Sequence, residues 1–147
     1  MSNKLVKPQQ QNNVITINDG TKIYEIRNKR NELKGQFVFA PTDTNIIRRY
    51  DEVVEYFNNF SVPDDVPEDK AAEYAEDKLV NHISYLINAD AKEAFFKHLG
   101  ALSPLPSGYT YIEDVLFRIS KVIEKELGVN AEKVQRRMNK YTKKYHK

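Results

Sequence analysis

Apolar residues follow three patterns along this chain: alternation near the N-terminus, three- and four-residue steps in the middle, and a last stripe set among lysines and arginines. Val14-Ile15-Thr16-Ile17 and Lys22-Ile23-Tyr24-Glu25-Ile26-Arg27 are β-branched runs on either side of Asn18-Asp19-Gly20-Thr21. They predict a hairpin, because a tight turn of this kind needs positive φ values that Asp and Gly tolerate. After a polar loop through Asn28 to Glu32, the run Leu33 to Phe39 predicts a third strand with Phe37 and Phe39 on one face, ended by Pro41. A small antiparallel meander with one greasy face must pack on helices to be stable.

Helical spacing begins directly afterwards. Thr42-Asp43-Thr44 offers cap oxygens, and Ile46, Ile47, Tyr50, Val53, Val54 and Phe57 recur on one side of a helix, with Tyr50, Val53 and Phe57 expected in the core. Pro63 and Pro67 bracket an acidic connector into a second helix, about Glu68 to Asn88, whose buried side is Ala72, Ala75, Leu79, Ile83 and Leu86. A short helix through Phe95, Phe96 and Leu99 is expected to close at Gly100.

The loop Ala101 to Gly108 contains Pro104 and Pro106 and should be irregular. Thr110 and Glu113 then match a capping box, followed by Ile112, Val115, Leu116, Ile119, Val122, Ile123 and Leu127 at three- and four-residue steps. Gly128 is expected to close that helix, and Asn130 to cap one more. The predicted fold is therefore α+β and mainly helical, with about five helices and a small N-terminal antiparallel β-hairpin or meander.

Residues 1–13 are polar, rich in Gln and Asn, and contain Pro8, which predicts a flexible arm. Residues 14–128 form the predicted globular domain, and 129–147 a basic amphipathic helix or tail. At 147 residues the chain fits one domain with a real core. No cysteine is present, which excludes disulfides and thiolate metal sites. No apolar run has the length of a signal peptide or of a membrane span, so a cytoplasmic protein without membrane contact is expected.

The net charge of +2 hides an asymmetry. Ser61 to Leu79 is acidic, whereas Ala131 to Lys147 carries Lys133, Arg136, Arg137, Lys140, Lys143, Lys144 and Lys147 against Glu132 alone. Motifs for chemistry are missing. His82, His98 and His146 have no ligand spacing, and the scattered glycines form no phosphate-binding loop. Acid pairs such as Asp51-Glu52 are adjacent in sequence and do not share a helix face. No catalytic, cofactor or metal site is predicted, and the chain reads as a protein that is not an enzyme.

A helical end would align Val134, Met138, Tyr141 and Tyr145 in one stripe at steps of four, three and four, flanked by Arg136, Arg137, Lys140, Lys143 and Lys144. Charge alone would satisfy phosphate, so the stripe favours an apolar groove or another helix, with the cations steering encounter. These nine residues are the candidate partner-binding set. A solvated helix that merely completes the domain, and a nucleic-acid contact through tyrosine stacking and phosphate pairing, are the competing readings.

The order of parts resembles the tail assembly chaperones of siphophages and related prophages. The similarity runs from about Phe37 to Lys147 and is carried by FVFAPTDTNIIRRYDEVVEYF, the acidic middle helix, the FFKHLGAL and YIEDVLFRISKVIEKEL blocks, and the Lys/Arg/Tyr-rich end. The loop Ser103 to Tyr109 departs from the shorter Gly-rich turn of that family, and the segment Val14 to Arg27 is longer than in many members. The resemblance implies a non-enzymatic, self-associating cytoplasmic protein that binds a tape-measure protein and keeps it soluble during tail-tube assembly. The alternative from another class is a small phage-encoded nucleic-acid-binding or host-defence inhibitor protein acting through its basic end.

Overall fold

The structure is a computed structural model that describes residues 13–145, with side chains described for 13–128. Its elements run β1 (Lys22–Arg27), β2 (Leu33–Phe39), α1 (Thr44–Asn58), α2 (Ala71–Ile87), α3 (Ala91–Phe95) and α4 (Tyr111–Tyr145), with a 3₁₀ turn Glu68–Lys70 before α2. The α+β class holds. Among the described residues four α-helices stand where about five were expected.

The first correction concerns the hairpin. β1 pairs antiparallel with β2, with Ile23 opposite Val38, Tyr24 opposite Phe37 and a register irregularity between Ile26 and Arg27. The connecting turn is stabilised by Asn28, whose Oδ1 accepts from the Arg30 and Glu32 amides at 2.9 and 3.0 Å, with Asn31 at φ 65°. Val14 to Ile17 forms no strand and is exposed throughout. At Asp19-Gly20 local side chains take the turn amides: Asn18 Oδ1 accepts from Gly20 N and Asp19 Oδ1 from Thr21 N, both at 3.1 Å. That competing bonding replaces the cross-turn backbone bond of a closed hairpin.

The starts of α1 and α4 follow the chemistry expected of them, whereas α2, expected from about Glu68, begins at Ala71 after the 3₁₀ turn and has no side-chain cap. Asp43 caps α1 by accepting from Asn45 N at 2.9 Å. In the capping box at α4, Glu113 Oε1 accepts from Thr110 N at 2.8 Å while Thr110 Oγ1 faces Glu113 N at 3.4 Å. α2 ends at Asn88 in the left-handed conformation, and Ser84 Oγ accepts from Ala91 N at 2.9 Å, which turns the chain tightly into α3. α3 stops at Phe95, not at Gly100. Phe96 turns inward and is buried, whereas Leu99 is 44% exposed, so no apolar contact extends the helix.

The second correction lies at Gly128. α4 continues without interruption from Tyr111 to Tyr145, so Gly128 closes nothing and Asn130 caps nothing. The residues beyond it are rich in Ala, Glu, Lys, Gln, Arg and Met, strong helix formers that carry the helix across one glycine.

One core joins these elements. Phe37 and Phe39 from β2, Ile46 and Val53 from α1, Leu79, Ile83 and Leu86 from α2, Ala91 and Ala94 from α3, and Ile112, Val115, Ile119 and Ile123 from α4 are buried together. Tyr50 and Phe57 pack against this cluster but are only half-buried, and Ala72 is exposed, because α1 and α2 each turn an edge of their apolar stripe towards solvent. Tyr111 Oη donates to the Phe95 carbonyl at 2.7 Å, tying the start of α4 to the end of α3. Burial raises the phenol's pKa, which keeps it a donor.

Candidate functional site

The nine residues proposed from sequence as partner-binding, Val134, Arg136, Arg137, Met138, Lys140, Tyr141, Lys143, Lys144 and Tyr145, have side chains outside the described residues. What is described is the backbone that presents them, the second half of α4. Because α4 is continuous, helical phase relates the two halves. At about 100° per residue, Ile112, Ile119, Ile123 and Leu127 share a face with positions 134, 138, 141 and 145. The stripe that packs the core and the stripe of the basic end are thus successive stretches of one line, interrupted at Gly128 to Lys133. Gly128, Asn130 and Glu132 disguised that continuity in the sequence.

A second surface, unread in the sequence, lies along the seam of α1 and α2. Tyr56 on α1 stacks on His82 on α2 with ring centroids 3.5 Å apart and planes 11° apart. Tyr56 also meets Phe60, which in turn meets Tyr74, so an aromatic line descends the seam. Lys78 Nζ sits 5.5 Å above the Tyr74 ring at its lower end. His82 Nδ1 lies 2.7 Å from the Lys78 carbonyl, which can only accept; the ring therefore carries its proton on Nδ1 and leaves Nε2 to accept when neutral.

At the upper end Tyr85 Oη donates to Glu52 Oε2 at 2.7 Å, and Arg48 Nη1 reaches Glu52 Oε1 at 3.2 Å and Tyr85 Oη at 3.3 Å. The Arg49 guanidinium lies 5.5 Å from the Tyr85 ring centre. The Tyr85 hydrogen bond, with help from Arg48, holds the Glu52 carboxyl below its ordinary pKa. The lowered pKa keeps the Glu52 carboxyl charged beside Arg48. Two open clefts of about 410 and 330 Å³ lie here and share Glu52 and Tyr56.

Among the described residues no group of three or more His, Cys, Asp or Glu side chains could hold a metal ion. No described helix is long and apolar enough to cross a membrane. The seam could have been anticipated only as pairs within one helix, such as Arg48 and Glu52 at i and i+4; its cross-helix contacts join positions more than twenty residues apart.

No protein-family description, curated protein sequence or solved structure matches this chain.

Proposed function

We propose that this chain is a non-enzymatic assembly chaperone of the phage-tail type. It binds a tape-measure protein, or a comparably long helical protein, through the basic half of α4 and keeps it soluble in the host cytoplasm until tube subunits replace it. The observation that carries the reading is the single helix Tyr111–Tyr145, whose described packed positions run from Tyr111 to Leu127 and whose backbone continues for eighteen further residues, about 27 Å of helix, through the candidate partner-binding positions. An amphipathic helix of this kind lays its apolar stripe along a partner helix or groove, and its cations raise the encounter rate with an acidic partner.

The resemblance of the element order to that of the tail assembly chaperones supports the same role. Self-association belongs to this reading. The test is retention of a co-expressed tape-measure protein by the full chain and by a chain ending at Asn130, after nuclease treatment and at low and high salt. Nuclease-resistant retention that is lost on shortening supports the reading. Co-purifying nucleic acid released by salt, with no protein retained, replaces it with a nucleic-acid-binding role.

A further inference from the structure

The segment Val14 to Ile17 is β-branched and apolar, yet Val14, Ile15 and Ile17 are 64, 85 and 74% exposed and make no strand. The sheet that follows it in sequence has two strands among the described residues, β1 paired with β2. An isolated pair of strands is marginal and its outer edge is an open template. Between the inner face of this sheet and α4 lies an apolar cleft of about 130 Å³, bordered by Tyr24, Ile26, Phe37, Phe39, Phe95 and Val122. The Tyr24 hydroxyl there is buried and has no hydrogen-bond partner.

We infer that Val14 to Ile17 of one copy adds as a third, antiparallel strand to the free edge of β1 in a second copy, reciprocally, to give a strand-exchanged dimer. Register follows from the sequence around Asp19-Gly20: Ile17 opposite Lys22, Thr16 opposite Ile23, Ile15 opposite Tyr24. Residues directly opposite share a face of the sheet, so Ile15 and Ile17 join Tyr24 on the inner face. Tyr24 stacks there on Phe37 at 5.9 Å, and Lys22 reaches across to Glu126 of α4 at 3.0 Å. Ile15 thus arrives beside the mouth of the apolar cleft. Thr16 falls on the outer face, continuing the line of Ile23 and Val38, which are opposite each other and 68 and 55% exposed.

The occupant is a second copy rather than the same chain because the linker is held open. A closed hairpin requires the Thr21 amide to bond the Asn18 carbonyl, but that amide and the Thr21 hydroxyl are both held by Asp19 Oδ1, at 3.1 and 2.7 Å, and Asn18 Oδ1 holds the Gly20 amide. Exchange between copies makes the same strand contacts without closing that turn, and two-fold reciprocity satisfies both edges at once. The inference does not rest on the chaperone reading, since a dimer of this form is independent of what α4 binds.

The chain has no cysteine, so introduced thiols report cleanly. Thr16→Cys and Ile23→Cys chains carrying tags of different size are mixed and oxidised, with Thr16→Cys plus Lys97→Cys as the control mixture. Exchange predicts a mixed disulfide between Thr16→Cys and Ile23→Cys chains at least tenfold in excess of the control, a wild-type solution mass of twice one chain, and a halved mass for Thr16→Pro with unchanged helical circular dichroism. A doubly substituted Thr16→Cys/Ile23→Cys chain that closes on itself as a monomer overturns the inference. So does a wild-type monomer at all concentrations, or a dimer without the Thr16 to Ile23 link.

Discussion

A Cβ added to Gly35 would run into the backbone carbonyl of Ala94, so β2 and α3 touch main chain to main chain. This approach sets how closely the sheet settles on the helices and places Phe37 and Phe39 in the core. Gly35→Ala must push β2 off α3, and the expected loss is about 1–3 kcal/mol, the usual cost of overpacking a close contact. Urea unfolding would measure it, and an unchanged midpoint would contradict the close approach.

Gly128 gives a prediction of the opposite sign. An added Cβ there meets nothing within 4 Å, and the residue lies inside α4. Gly128→Ala should therefore stabilise the protein, by up to about 1 kcal/mol, since glycine is the poorer helix former. Were Gly128 a left-handed helix cap, the same change would destabilise. The shift of the thermal midpoint distinguishes the two.

Burial ranks the core substitutions. Leu86 is fully buried, and Leu86→Ala should cost about 2–5 kcal/mol. Tyr50 is half-buried, so Tyr50→Ala should cost less than Leu86→Ala. Parallel denaturant melts of the two variants test that order.

Tyr85→Phe removes the hydrogen bond that lowers the Glu52 pKa. A carboxyl whose folded pKa is depressed adds stability above its ordinary value near 4.5, and that contribution is lost as pH falls through the lower folded value. The stability difference between wild type and Tyr85→Phe should then be present at neutral pH and vanish in acid. In a carbon-detected titration the Glu52 carboxyl of the variant should move up towards the ordinary glutamate value.

Replacing Arg136 and Arg137 together by Ala should leave the thermal midpoint nearly unchanged and weaken partner retention, mostly at low salt, because exposed charges steer association and are screened by ions. A large fall in thermal midpoint would instead assign the two arginines to the fold.

The sequence by itself determined where α1 and α4 begin and most of the face that α4 buries. The Asp43 cap, the Thr110 and Glu113 box, and the stripe Ile112, Val115, Ile119 and Ile123 depend on residues a few positions apart, and all stand in the structure. Tertiary structure decided the pairings between distant positions. β1 paired with β2 as the meander required but not with Val14 to Ile17, Gly35 met Ala94, and Tyr56 found His82. It also decided the fate of Gly128, because a glycine near a cap-like Asn fits both a helix end and a helix interior, and the helix formers that follow outweigh its local cost. Local hydrogen bonding and periodicity are written within a turn or two of chain, whereas the choice among strand edges and the close approach of two backbones depend on groups that only folding brings together.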